Sequence, residues 1–282
     1  MINNFHIPKN KNNDILKSLN QQIVYSAADY GINSNNCGKD VKVAILDSGY
    51  SKHDDIKKPV DMINFLGDNK KIQDTHGHST IISGILAANN DKIIKGLAYN
   101  ADLYCVKVID FSGNGNFNAV VSGILWSIVK DVDIILMAFG TNTDYPILED
   151  AVKKANDIGI CVMAAAGNNK INEKDDFPAR YPYVLSCKKE LNNKAKKNIY
   201  NKDNNTINIV YPYKDIITTY KNNKYIRVDG TSIAAVLAAG LVANIIGEIK
   251  ETKKHFKNKT FPKLIFDSLG SLVYNPKKIQ GS

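Results

Sequence analysis

Apolar runs of strand length alternate along this chain with segments of helical period. Val41 to Leu46 is a six-residue run that closes on Asp47, and Leu103 to Ile109, Asp133 to Phe139 and Ile160 to Ala165 are similar runs rich in Val and Ile. Between them, Phe117, Val120, Val121, Ile124, Leu125 and Ile128 follow the i, i+3, i+4, i+7 spacing of an amphipathic helix. The spacing recurs over Ile147 to Ile158, after Pro146, a residue suited to a first helical turn. Ile233 to Ile246 is Ala-rich and almost wholly apolar, which predicts a buried helix. Strands this apolar are buried on both faces, and helical crossovers between them imply a mostly parallel central sheet flanked by helices in a three-layer α/β domain. No internal repeat or long linker divides the chain, so one domain is expected over residues 21–282, behind an N-terminal extension of residues 1–20. The Asn- and Lys-rich stretch from Lys188 to Asn208 reads as a surface loop or hairpin.

Composition narrows this picture. The 282 residues are 44% hydrophobic and 23% charged, proportions that suit a chain able to bury a real core. The net charge of +9 favours acidic partners. The basic residues are nevertheless scattered, without an Arg-rich arm or a basic–aromatic repeat, so no nucleic-acid partner is expected. No apolar run reaches the length of a membrane span, and Met1 to Pro8 has no apolar core of a secretory signal. A cytoplasmic location is the resulting expectation. Cys37, Cys105, Cys161 and Cys187 show no CxxC spacing, which favours reduced thiols.

In parallel sheets, functional side chains gather beyond the carboxyl ends of the strands. Asp47 closes the first strand, Gly113 and Gly115 follow another, Asn168 follows Ala164-Ala165-Ala166-Gly167, and Ser232 opens the buried helix after Gly230-Thr231. Their convergence at one sheet edge is expected from pattern alone. Taken singly, each has a blander reading: an Asp ending a strand forms turns, Gly-Thr-Ser caps helices, and Gly113-Asn114-Gly115 is a loop.

Together the segments say more. Val43-Ala44-Ile45-Leu46-Asp47-Ser48-Gly49, Gly77-His78-Ser79-Thr80-Ile81-Ile82-Ser83-Gly84 and Gly230-Thr231-Ser232-Ile233-Ala234-Ala235 resemble the Asp, His and Ser motifs of the subtilase family, in that family's order. Tyr104 to Val108, Ser112 to Phe117 and Ala165 to Asn168 resemble further subtilase segments, so the likeness spans roughly residues 20 to 250. The resemblance implies a subtilisin-like fold and serine endopeptidase chemistry. A Ser hydroxyl is a poor nucleophile until a base takes its proton. His78 is that base, and Asp47 holds the imidazole in one tautomer. Asn168 and the Ser232 backbone N–H are the implied oxyanion donors.

The same resemblance implies that Gly113, Asn114 and Gly115 pair with substrate backbone as an edge strand. Ala138, Phe139 and Gly140 then run along its other side and, with Ala165, Ala166 and Gly167, wall the pocket for the residue before the cut. Phe117, Val120, Phe139 and Leu148 line an apolar pocket three residues upstream, or are simply core. Asp176 falls near the floor of the first pocket, where it favours a basic or amide side chain. His76 is a rival base, but the family's small residue six positions after the catalytic His is Gly84 counted from His78 and Ile82 counted from His76. Asp74 and Gly77 also fit the family's Asp-x-x-Gly-His pattern. His53 and His255 lack such context and read as surface residues.

The chain departs from the family at Ser79, where Gly is usual, and at Ala235-Val236-Leu237 after the nucleophile. Only Asp55 matches a ligand of the family's calcium site, and Lys92 and Lys95 in the short Asn89 to Lys95 segment oppose a dication. No metal or cofactor is therefore expected beyond weak calcium binding. The Asp47 motif comes so early that no fold-assisting prodomain is expected, an economy shared by small intracellular subtilisins and cytoplasmic lanthipeptide leader peptidases. Phe5-His6-Ile7-Pro8 resembles the inhibitory Ile-Pro element of the first group, and the Lys/Asn-rich composition and divergent flanks suit the second. Three functions follow: limited processing of a peptide or protein substrate, such as leader removal from a modified lanthipeptide (lantibiotic) precursor; general intracellular proteolysis; or peptide binding by a pseudo-protease.

Overall fold

The computed structural model describes residues 23–30, 32, 34–67, 71–89, 93–167, 175–189, 200–201, 206–209 and 216–252; the N-terminal extension and Asn168 lie outside them. In chain order the described strands are β1 (Ile23–Val24), β2 (Lys42–Asp47), β3 (Asp61–Asn64), β4 (Ile94–Lys95), β5 (Asp102–Lys107) and β6 (Ile134–Met137). They continue with β7 (Cys161–Ala165), β8 (Leu185–Lys189), β9 (Tyr200–Asn201), β10 (Thr206–Ile209), β11 (Ile216–Tyr220) and β12 (Lys224–Val228). The α-helices are α1 (His78–Ala87), α2 (Phe117–Val129), α3 (Pro146–Asp157) and α4 (Thr231–Thr252).

Eight strands form the central sheet in the order β3-β5-β2-β6-β7-β8-β10-β9. All neighbours are parallel except β9, which pairs antiparallel with β10. Because side chains alternate across a strand, Val43 and Ile45 of β2 join the core layer that contains α1 and α4. Ala44 and Leu46 join the layer that contains α2 and α3. The strands in β6 and β7 divide in the same way, which is why they read as unbroken apolar runs.

Helix α4 is apolar all round because it is enclosed: every residue from Ser232 to Gly247 is buried, and the helix packs on α1 and on β6, β7, β8 and β10. Its one buried amide, Asn244, donates to Leu97 O and Gly240 O at 2.9 and 2.8 Å. The stretch Lys188 to Asn208 is not simply loop or hairpin. Its Thr206–Asn208 part belongs to β10, a member of the central sheet parallel to β8, and Ile207 is wholly buried. Only four residues long and half polar, this strand is hidden in the sequence by its Asn- and Lys-rich surroundings.

Strands β11 and β12 form a separate antiparallel hairpin whose turn carries Asn222 and Asn223 at φ 60° and 56°, a conformation Asn tolerates. Its buried hydroxyls clamp α1: Thr218 Oγ1 donates to Ile81 O at 3.0 Å and Thr219 Oγ1 to Thr80 O at 2.7 Å. Contact is so close at Gly84 that an added Cβ would sit 2.1 Å from Thr219 Oγ1 and 2.7 Å from Thr218 Oγ1. Gly84→Ala is therefore expected to destabilise the fold by about 1–3 kcal/mol, the usual cost of overpacking. Denaturant unfolding measures this, and an unchanged midpoint would show that the hairpin yields freely.

Candidate active site

Two elements bring Asp47 and His78 together. Asp47 is the last residue of β2, and its carbonyl accepts from Val108 N and Ile109 N at 2.8 and 3.2 Å. His78 is the first residue of α1. Both are buried, and His78 Nδ1 donates to Asp47 Oδ2 at 2.8 Å with Oδ1 at 3.0 Å. This contact places the imidazole hydrogen on Nδ1 and leaves Nε2 as the basic nitrogen. Burial pushes the Asp47 carboxyl up, but attraction to His78 and hydrogen bonds from His78 and Ser48 outweigh it, so the group lies below the usual carboxylate range.

A second buried carboxylate fixes the start of α1. Asp74 Oδ1 accepts from Gly77 N at 2.6 Å, and Oδ2 accepts from Thr80 N at 2.9 Å and Thr80 Oγ1 at 2.6 Å. It thus satisfies amides at the helix N-terminus that have no carbonyl one turn back. Ser48 links the two carboxylates, its Oγ lying 2.8 Å from Asp74 Oδ1 and 3.1 Å from Asp47 Oδ1 while accepting from Ser79 N at 3.0 Å. One hydroxyl proton serves both acids. Lys107, paired in register with Asp47, reaches Ser48 O at 3.0 Å and Gln73 O at 2.7 Å, tying together the loops that carry Asp47 and Asp74. Apolar neighbours on both sides disguised this buried lysine in the sequence.

Ser232 stands in the first turn of α4 with 7% exposure. Its Oγ donates to Ala138 O at 2.7 Å. Ala138 to Gly140 extends β6 and Ala165 to Gly167 extends β7, its sheet neighbour. Asp176 is buried against both extensions, Gly140 on one side and Gly167 on the other. Gly113 to Gly115 form a tight hairpin beyond β5: Asp110 Oδ1 accepts from Ser112 N and Asn114 N, and Gly115 bridges Ile109.

Phe117, Val120, Phe139 and Leu148, expected as pocket or core, line a cavity of about 320 Å³. Sequence reasoning missed Thr141, Tyr145, Phe177 and Pro178 in the same lining. The Phe117 and Tyr145 rings stack with centroids 4.7 Å apart, a pairing of residues 28 positions apart that no local spacing reveals.

The rival His76 ring lies 6.2 Å from that of His78, and Asp47 bonds to His78. Burial, then repulsion from His78, push the His76 ring to titrate below its ordinary range. His53 is not a surface residue: it is 2% exposed, Nδ1 accepts from Asp55 N at 3.1 Å, and Nε2 meets Lys224 O at 3.0 Å. Its isolation in the sequence concealed the covering hairpin β11–β12. The carboxylate of Asp55 accepts from Ile93 N, Ile94 N and Tyr225 Oη, the last at 2.7 Å. Donors aimed at both oxygens do not fit a calcium ligand. All four cysteines are free, and burial pushes the Cys161 thiol up to about 12, which leaves it protonated and inert.

A parallel sheet flanked by helices, with Asp47 and His78 hydrogen-bonded where a strand ends and a helix begins, defines an α/β protein. Residues 38–279 match the subtilase family, and the chain belongs to that family. It is 35% identical over 209 residues to the minor extracellular protease Epr of Bacillus subtilis (strain 168), covering 73% of this chain and 32% of Epr. An intracellular serine protease of Paenibacillus polymyxa is 36% identical over 221 residues, covering 74% of this chain and 67% of the relative. The major intracellular serine protease of Bacillus subtilis (strain 168) is 34% identical over 247 residues, covering 81% and 76%. The chain thus spans about a third of Epr's length and 56% of a thermostable alkaline protease from Halalkalibacterium halodurans.

A carboxylate with a depressed folded-state pKa stabilises the fold above its unfolded value, and that contribution is lost as pH falls through the folded value. Asp47→Asn is accordingly expected to flatten the loss of stability on acidification below about pH 4. Urea unfolding at a series of pH values tests this; identical slopes in both proteins would remove Asp47 from the acid response.

Proposed function

We propose that the chain is a serine endopeptidase in which Ser232 is the nucleophile, His78 the general base and acid, and Asp47 the group that orients His78. The observation that carries this reading is the buried Asp47–His78 hydrogen bond at the sheet edge where Ser232 opens α4. In the reaction, Ser232 Oγ bonds to the substrate carbonyl carbon as His78 Nε2 takes its proton. The tetrahedral oxyanion forms at the N-terminus of α4, where the Ser232 N–H and the helix dipole favour negative charge. By the family resemblance, Asn168 donates to the same oxygen. Collapse breaks the C–N bond, and His78 returns its proton to the leaving amine. Water then repeats the sequence to release the acid.

Limited processing is the form of endoproteolysis that the surroundings support best. An apolar cavity lined by Phe117, Val120, Phe139 and Leu148 favours particular side chains, whereas general turnover needs a permissive cleft. Removal of a leader from a modified lanthipeptide precursor in the cytoplasm is the specific version proposed, and two relatives carry the name intracellular. Because Asp55 is committed to backbone and Tyr225 donors, the fold does not draw on calcium there. Thermal unfolding is expected to be the same with a chelator as with millimolar calcium, and a large upward shift with calcium would overturn that point.

The peptidase itself is tested with a fluorophosphonate probe. Wild type is expected to take up one adduct on Ser232, found by peptide mass mapping, and Ser232→Ala none. A folded wild type that takes up no probe would favour the peptide-binding pseudo-protease instead, a reading consistent with the Ser232–Ala138 bond. Cleavage of one precursor but not casein would separate processing from general proteolysis.

A further inference from the structure

We propose that Ser48 is a positioning residue of the reaction, its hydroxyl holding the Asp47 carboxylate in register with the His78 ring; this rests on the peptidase reading above. The torsion that turns a carboxylate about its own axis is soft, so its partners decide its angle. Asp47 has two such partners. His78 Nδ1 lies 2.8 Å from Oδ2, while Ser48 N donates to Oδ1 at 2.7 Å and Ser48 Oγ lies 3.1 Å from the same oxygen. With the carboxylate held on the Ser48 side, the ring it orients is held too.

The hydroxyl has little freedom of its own. Ser48 is wholly buried, and its Oγ accepts from Ser79 N at 3.0 Å, one residue beyond His78 in α1. That contact occupies a lone pair and leaves the single hydroxyl hydrogen facing two carboxylates, Asp47 and, at 2.8 Å, Asp74. Asp74 is itself bound to the start of α1 through Gly77 N and Thr80 N. One small side chain therefore touches the acid, the helix that carries the base and the carboxylate that caps that helix.

Backbone geometry builds in the spacing of these groups. Gly49 follows at φ 115°, where an added Cβ would stand 2.1 Å from Ile72 O. Beyond it, Tyr50 N donates to Ile72 O at 2.9 Å and Asp74 N to Tyr50 O at 2.8 Å. The loop after Asp47 is thus zipped to the loop that delivers Asp74, with Ser48 between the two acids. A serine serving only the fold would change stability and leave the reactivity of folded molecules alone. A serine that sets the Asp47 angle must change reactivity through Asp47.

The test follows the labelling kinetics of a fluorophosphonate, in which Ser232 Oγ bonds to phosphorus, fluoride leaves and His78 takes the proton. Ser48→Ala is expected to lower the maximal labelling rate by about 10- to 10²-fold, the scale of a small misplacement, with half-saturation changed by less than about twofold. Ser48→Thr, which keeps the hydroxyl, is expected to label within about threefold of wild type. In an Asp47→Ala background, adding Ser48→Ala is expected to cost less than about twofold, because groups acting as a unit are not additive. Should Ser48→Ala not fold, Ser48→Cys, whose thiol is a weak donor, takes its place in every comparison. Wild-type labelling rates in Ser48→Ala, a Thr variant as slow as the Ala variant, or the same fractional loss with and without the Asp47 side chain each overturn the proposal while leaving the peptidase reading intact. Absence of labelling in wild type overturns the peptidase reading and this inference with it.

Discussion

A carboxylate and an imidazole that are both sealed from water constrain everything around them. Asp47 is 0% exposed, and an ionised group so buried is tolerable only when every lone pair meets a donor. His78 Nδ1 and Ser48 N donate to it, and the Ser48 hydroxyl, shared with Asp74, lies 3.1 Å from Oδ1. Each donor must in turn be held in place. Ser48 is fixed by Asp74 and by Lys107 at its carbonyl, and His78 is fixed by the helix that Asp74 caps. The fold around β2, β5 and α1 can thus be understood as the scaffold that one hydrogen-bonded pair requires.

The parallel sheet provides the remaining alignment. Strands β2, β6 and β7 lie side by side, so their carboxyl ends deliver Asp47, Ala138 and Ala165 to one edge. Helix α4 crosses beneath the same strands with its N-terminus at that edge, which is why an almost wholly apolar helix begins with a buried serine. Removing the polar edge residues would leave an ordinary three-layer core. The chemistry is added where the strands stop and backbone groups become available.

Much of this was legible in the residues. Six-residue apolar runs and helical periods fixed the central strands and three of the helices, because burial on both faces imposes those patterns directly. The Asp47 and His78 motifs fell on two residues that the structure brings into hydrogen-bond contact. What stayed hidden was cooperative. Short β10 buries Ile207 beside the polar Thr206. His53 looked like a surface histidine because the hairpin that buries it arrives some 170 residues later, at Lys224. The Ser48–Asp74 link and the Lys107 clamp join residues whose spacing has no period, and the Phe117–Tyr145 stack arises only when α2 and α3 pack. Local pattern reports burial well but reports partners poorly.

The central claim is that Asp47, His78 and Ser232 act as one unit. The most direct measurement is the hydrolysis rate of one peptide by Ser232→Ala, His78→Ala and the double variant. Members of a working triad are grossly non-additive, so the double variant should be about as slow as either single one. Losses that multiply would mean that Ser232 and His78 contribute independently, and the account of the site would be wrong.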